Sequence, residues 1–186
     1  MKASNILPDV ITFAGNGEPT MHPDFDLIID DTLSLRNLYA PGARIAVLSN
    51  ASMLHRESVV KALMKVDDNI QKLDSASETT IRLLDKPRGR FNLDRLVGQL
   101  CDFRGNVIIQ TMFIQGSWEG KSIDNTTPGE INAWIGLLRK IKPRQVMIYT
   151  IARDTPVDTL EKVPPEELDR IAVLVREAGF DVQVSG

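Results

Sequence analysis

A chain of 186 residues fits one domain on the usual range of about 100–200 residues, and a hydrophobic share of 42% excludes a disordered chain. The formal net charge of -3 excludes a generally basic surface for nucleic acid or anionic lipid, although a local patch can sit inside a balanced total. The one cysteine, Cys101, excludes an internal disulfide and a cysteine-rich metal site and fits a reducing, cytoplasmic setting; no apolar run reaches the ~18 residues that span a bilayer, and the first five residues carry no secretory signal, so no membrane partner is expected.

The predicted elements alternate. Val10-Ile11-Thr12-Phe13-Ala14 is a short β-rich run that ends at Gly15. Residues 23–39 predict a helix, with Phe25, Ile28, Ile29, Thr32, Leu33 and Leu35 near helical spacing. A strand follows at 44–49, a helix at 57–66 with Val59, Val60, Leu63 and Met64 on one face, and a short strand at 70–74. Residues 78–84 and 93–103 are helical, separated by Lys86-Pro87-Arg88-Gly89. Residues 106–114 form the longest predicted strand, between Gly105 and Gly116, and a long loop runs from 116 to 127. A helix at 129–141, a strand at 145–151, a helix at 165–178 closed by Gly179 and a possible last strand at 180–184 complete the chain.

Strands separated by helices imply parallel pairing through right-handed crossovers, and nearly all-apolar strands imply burial on both faces. The outcome is an open doubly wound sheet or a barrel, complete or partial, with no linker that divides the chain. In such architectures the working groups lie at the C-terminal ends of the strands. There the sequence places Gly15-Asn16-Gly17-Glu18-Pro19-Thr20, then Ser49-Asn50-Ala51-Ser52, then Lys72-Leu73-Asp74-Ser75. Gln110 lies in the long strand, and Tyr149-Thr150-Ile151-Ala152-Arg153 ends the next.

In the first turn, glycines let backbone approach a ligand, and Pro19 pushes Glu18 toward an extended conformation. The turn can aim carbonyls and one carboxylate at a cationic group; it can equally be a tight βα loop with a solvated glutamate. Other residues carry similar pairs of readings. His22 suits a ligand contact or a local hydrogen bond, and His55 suits a helix start. Arg153 suits a substrate anion or a salt bridge with Asp154, and Trp118 suits stacking on a substrate or packing of its loop. Cys101, beside Leu96, Val97 and Leu100 on a predicted helix, reads as a small core residue.

The stretch Ile11-Thr12-Phe13-Ala14-Gly15-Asn16-Gly17-Glu18-Pro19-Thr20-Met21-His22-Pro23 resembles the second strand and following loop of radical S-adenosylmethionine (radical SAM) enzymes, whose usual motif is Gly-Gly-Glu-Pro. Asn16 stands where that motif has its first glycine. The resemblance continues in order through Leu48-Ser49-Asn50-Ala51, Lys72-Leu73-Asp74-Ser75 and Phe113-Ile114-Gln115-Gly116. The chain is similar to the Fe–S oxidoreductases grouped with pyruvate formate-lyase activating enzymes and with tRNA wybutosine-type proteins.

The resemblance implies a partial (β/α) barrel of the TIM-like radical SAM type, parallel strands with outer helices. It would be one domain of later β/α units. It further implies that Asn16, Gly17, Glu18 and Pro19 bind the amino end of SAM, and that Ser49, Asn50, Lys72, Asp74 and Ser75 reach its carboxylate or ribose. Gln110 would meet the ribose, and Tyr149, Thr150 and Ile151 the adenine. The family's Cys-x-x-x-Cys-x-x-Cys, which holds a [4Fe–4S] cluster, precedes the glutamate motif; only 14 residues precede Gly15 here, none of them cysteine. The expectation is therefore a radical SAM enzyme in the intact protein, acting on a glycyl-radical enzyme, an RNA or a small molecule, with this chain alone inactive. Two alternatives stay open: a non-catalytic SAM-binding or interaction module, and a divalent-metal barrel hydrolase using Glu18, His22 and Asp74. A missing first unit would also leave the strand at 10–14 with a free edge, which predicts self-association there.

Overall fold

The computed structural model describes residues 7–15, 17–87, 89–118, 120–151 and 159–185. The chain divides into two compact units, Met1–Gln71 and Lys72–Gly186.

The first unit begins with strand β1 (Val10–Phe13) and a 3-10 turn (Pro19–Met21). Helix α1 (Phe25–Tyr39), strand β2 (Arg44–Ser49), helix α2 (Glu57–Leu63) and strand β3 (Asp68–Lys72) follow, β3 ending just inside the second unit. β1 pairs parallel with β2, and β2 with β3. Phe25 and Ile29 of α1 and Val59, Ala62 and Leu63 of α2 are buried, as are Ile45 and Val47 of β2. Parallel strands joined by helices bury their apolar side chains beneath those helices, which is why β2 is apolar from Ile45 to Leu48. Arg36 ties the layers together: its guanidinium donates to the Ala43 carbonyl at 2.6 Å and to Asp67 at 3.1 Å.

The second unit contains helices α3 (Glu78–Leu84) and α4 (Leu93–Cys101), then strands β4 (Ile108–Met112), β5 (Ile114–Trp118) and β6 (Lys121–Asp124). Helix α5 (Pro128–Ile141), strand β7 (Gln145–Tyr149), strand β8 (Leu160–Lys162), helix α6 (Pro165–Glu177) and strand β9 (Val182–Ser185) complete it. β4, β7 and β9 run parallel, while β5 pairs antiparallel with both β6 and β8 in a small separate sheet. Thr127 caps α5 by accepting from the Glu130 N–H at 3.3 Å, and Pro128 occupies the first turn, where its missing N–H costs nothing. Trp134 of α5 meets Phe113 edge to face at 5.3 Å and anchors the core with Phe103, Ile109 and Leu138. The parallel order is β1-β2-β3 from the first unit and β4-β7-β9 in the second, the parallel α/β architecture that the sequence predicts.

Three expectations are corrected. The single strand at 106–114 divides at Phe113 into β4 and β5, which belong to different sheets. Asn125 causes the break: its Oδ1 accepts from the Ile114 N–H, and its Nδ2 donates to the Met112 carbonyl, each at 2.8 Å. The predicted loop at 116–127 instead contains most of the β5–β6 hairpin. Cys101 is only half-buried, at the end of α4, with its thiol 3.5 Å from the Lys140 carbonyl, whereas Leu96, Val97 and Leu100 carry the core contacts.

Candidate functional site

In the first unit the Gly-Glu-Pro turn leads from the loop after β1 into the 3-10 turn. Glu18 is extended (φ −81°, ψ 112°), as a residue before proline should be. Its carboxylate caps the 3-10 turn: Oε1 accepts from the Thr20 N–H at 3.1 Å and from the Thr20 hydroxyl. The other oxygen, Oε2, accepts from the Asn50 N–H at 2.6 Å. Glu18 therefore ties the loop after β1 to the end of β2. Thr20 is buried, Glu18 half-buried, and Gly17 exposed with open space where a side chain would stand.

Beyond β2 the chain turns sharply. The Ser49 hydroxyl, buried, accepts from the Ala51 N–H at 3.0 Å, and the Asn50 side chain accepts from the Ser52 N–H at 2.9 Å. Ala51 sits at φ +62°, a left-handed conformation unusual for a residue with a Cβ and one that concentrates at functional turns. His22 accepts from the Asp24 N–H at 3.2 Å and His55 contacts the Ser52 carbonyl at 3.1 Å, so both serve their own loops.

In the second unit, Lys72 stands between two carboxylates. Its ammonium lies 2.8 Å from Asp74 Oδ2 and pairs with Asp85. Asp74 is buried, and its Oδ1 accepts from the Met112 N–H at 2.9 Å. Burial pushes the Asp74 carboxyl above the usual carboxylate range; the ammonium of Lys72 opposes the rise, and the charge of Asp85 adds to it. For Lys72 burial works in the opposite direction, but the charges of Asp74 and Asp85 outweigh it and raise its pKa. Burial, followed by the charge of Asp74, also raises the Tyr149 phenol. Asn125 holds the floor of this cluster, because its Nδ2 also donates to the Asp74 carbonyl at 2.8 Å.

The remaining expected residues divide between open and occupied positions. Ser75 is buried; its hydroxyl donates to Glu130 at 2.6 Å and accepts from the Ser77 N–H at 2.8 Å. Thr150 is buried and accepts from the Val163 N–H at 2.9 Å. Gln110, Tyr149 and Ile151 are half-buried. Trp118 is half-buried near the tip of the β5–β6 hairpin, with the Lys86 ammonium 3.8 Å from its ring centre. Asn16 and Arg153 lie outside the described residues. Sequence reasoning missed Asn125, Asp85 and Glu130. Asn125 acts through backbone groups distant in sequence, so no local motif announces it.

Fit to the implied cofactors differs. An iron–sulfur cluster needs several thiolates, and the chain has one, half-buried on α4; its residues do not fit a [4Fe–4S] cluster. Nor, among the described residues, is any group of three His, Cys, Asp or Glu placed to hold a metal ion. The amino group of SAM is a better match. A carboxylate has about four acceptor positions, of which Glu18 uses three, and the open space at Gly17 lies next to it.

No family model matches the chain. Among curated proteins it is 29% identical over 153 residues to a UPF0026 protein of Synechocystis and 29% identical over 181 residues to one of Methanocaldococcus jannaschii. These matches take in 80% and 95% of this chain and 52% of each relative, so the chain spans about half their length. It is also 26% identical over 166 residues to a protein named GTPase Obg from Brachyspira hyodysenteriae, covering 87% of this chain but 23% of that protein. The sequence carries no phosphate-binding loop of the form G-x-x-x-x-G-K-[ST]. Gly116 to Ser122 falls one residue short of its spacing, and Trp118 pairs with Lys121 in a hairpin where such a loop would lead into a helix.

Solved structures define the fold. A domain of a pyruvate-formate lyase-activating enzyme from Bacteroides vulgatus superposes with a TM-score of 0.65 at 18% identity, covering 95% of this chain and 98% of that one. A radical SAM methyltransferase from Sphaerobacter thermophilus gives 0.69 at 17%, covering 95% and 50%. SuiB from Streptococcus suis bound to S-adenosylmethionine gives 0.68 at 18%, covering 95% and 39%. With parallel strands and outer helices in each unit, the chain shares the fold of these partial radical SAM barrels.

Proposed function

We propose that this chain is the SAM-binding portion of a radical SAM enzyme, and that Gly17, Glu18 and Asn50 form the anchor for the amino end of SAM. The observation that carries this reading is the Glu18 carboxylate. It is fixed at the end of β1 by the Thr20 and Asn50 N–H groups, with one acceptor position left toward open space. An anion held by backbone donors needs little reorganisation to receive an ammonium group. In the intact protein, one electron from a reduced [4Fe–4S] cluster would split SAM into methionine and a 5′-deoxyadenosyl radical for hydrogen abstraction, with the thiolates coming from outside these residues. The chain's own part is to bind and orient the ligand and to keep water from it.

Calorimetry with SAM tests the reading. Without the iron that shares the amino and carboxylate groups, binding to this chain is weak, with a dissociation constant in the millimolar range, and Glu18→Gln weakens it further. Tight binding indifferent to Glu18→Gln would contradict it.

A further inference from the structure

Residues 139–144 read Arg-Lys-Ile-Lys-Pro-Arg, four cations in six positions with no acid among them. They run from the last turn of α5 to the start of β7, and all but Ile141 and Pro143 are exposed. A second loop lies against them. The Cys101 thiol is 3.5 Å from the Lys140 carbonyl, and a Cβ on Gly105 would lie 3.3 Å from the Lys142 carbonyl oxygen, so exposed Arg104 joins the same end of the second unit. Among the described residues, no ion pair engages the side chain of Arg104, Arg139, Lys140 or Lys142, whereas elsewhere Arg36, Arg44, Lys65 and Arg170 each meet a carboxylate. The helix dipole accounts for Arg139 and Lys140, which stand in the last turn of α5. It does not account for Arg104 and Lys142. Those two sit in left-handed backbone, at φ +51° and +55°, where glycine is the easier residue and the chain carries a charge instead. The patch lies inside the chain, and Ser185 pairs with Tyr149 at the other end of β7 from Arg144.

We infer that Arg104, Arg139, Lys140 and Lys142 form a docking surface for the phosphate backbone of a nucleic-acid duplex. Charge sets the sign of the partner, and the surroundings set its class. None of the large hydrophobic side chains exposed among the described residues lies between residues 100 and 146. An acidic protein is usually held by aromatic or aliphatic anchors at the centre of its contact. A single strand needs aromatic rings on which its bases stack, and a membrane surface needs apolar side chains that insert. A duplex backbone needs none of these, because its phosphates are held by charge and each contact releases counterions. The two guanidinium groups add planar forks that match phosphate oxygens. Of the carboxylates near this end, Asp181 accepts from Gln145 Nε2 at 2.8 Å, and Asp102 directly follows α4. The patch stands at the start of β4 and β7, whereas Met112, whose N–H meets Asp74, ends β4. A duplex held there leaves the Lys72–Asp74 cluster open, and the inference is independent of SAM binding.

Fluorescence anisotropy with a short labelled RNA duplex, and with a DNA duplex of the same sequence, tests it between about 25 and 200 mM salt. The expected result is binding to at least one duplex that weakens with salt, at a log–log slope of about −3 to −4 for four phosphate contacts. The tighter of the two names the source of the backbone. Arg139→Gln and Lys142→Gly each weaken binding by about tenfold at about 50 mM salt and reduce the slope by about one. Lys142→Gly suits the left-handed backbone, so it removes the charge and keeps the turn. No binding to either duplex at the lowest salt would overturn the inference, as would affinities indifferent to both variants. A polyglutamate peptide bound as tightly as the duplexes would overturn it too, by showing that an acidic protein serves as well.

Discussion

The Glu18 carboxylate accepts a hydrogen bond from the Asn50 N–H at 2.6 Å, joining the loop that leaves β1 to the loop that leaves β2. The glutamate of the Gly-Glu-Pro motif is therefore part of its own scaffold as well as the proposed ligand anchor. Glu18→Ala removes the acceptor for the Thr20 and Asn50 N–H groups together and is expected to lower stability by about 1–2 kcal/mol. A fall in the urea midpoint with an unchanged slope checks this. Glu18→Gln keeps one oxygen acceptor but turns its amide N–H groups toward the other backbone donor, so it is expected to give up part of the same stability.

Lys72 and Asp74 give a pH dependence of definite sign. A carboxyl that keeps its proton when folded and releases it when unfolded weakens the fold as pH rises above about 4. Asp74 is in that position because of its burial, and the ammonium of Lys72 limits the effect. Lys72→Met should cost about 3 kcal/mol at neutral pH and steepen the loss of stability from about pH 4 toward neutrality. Urea midpoints across that range decide it; parallel profiles for the two proteins would show that the pair does not couple.

Asn125 makes three buried hydrogen bonds to backbone groups of Asp74, Met112 and Ile114. Asn125→Ala leaves all three without a partner and is expected to cost about 3 kcal/mol. Faster amide exchange at Ile114 and Met112 should accompany it, since the Asp74 carboxylate that receives the Met112 N–H is held from the same point.

Gly116 has φ +123°, and a Cβ there would lie 2.2 Å from the Thr159 carbonyl oxygen and 3.0 Å from Leu160 Cα. Gly116→Ala must push β8 away from β5, breaking the 2.9 Å bond from the Ser117 N–H to Thr159. Loss of exchange protection at Ser117, with a drop of at least about 2 kcal/mol in stability, is the expected result.

Much of the fold was legible in the sequence because parallel α/β units announce themselves locally. β2 and α3 begin and end where apolar period, capping residues and turns place them; Ser77, for instance, caps α3 by accepting from the Thr80 N–H. The break at Phe113 was not legible. Residues 106–114 contain no glycine or proline to mark a break, and the residue that divides them, Asn125, lies 11 positions beyond Ile114. The site was legible in part. Glu18 and Lys72 stand at strand ends, as parallel topology requires, but the N–H of Asn50 that fixes Glu18 and the carboxylate of Asp85 that shares Lys72 are tertiary facts. Ser75 and Thr150 show the converse: polar residues after a strand suggested ligand contacts, and both are engaged in buried hydrogen bonds of their own.

The central claim is that the turn after β1 receives the amino end of SAM. Amide shift mapping on nitrogen-labelled chain, with SAM compared against 5′-methylthioadenosine, tests it most directly, because the second ligand keeps the adenosine and lacks the amino acid. SAM should shift the amides of Gly17, Thr20 and Asn50, and 5′-methylthioadenosine should leave them in place. Equal shifts at these amides from both ligands, or SAM-induced shifts that avoid them altogether, would contradict the account.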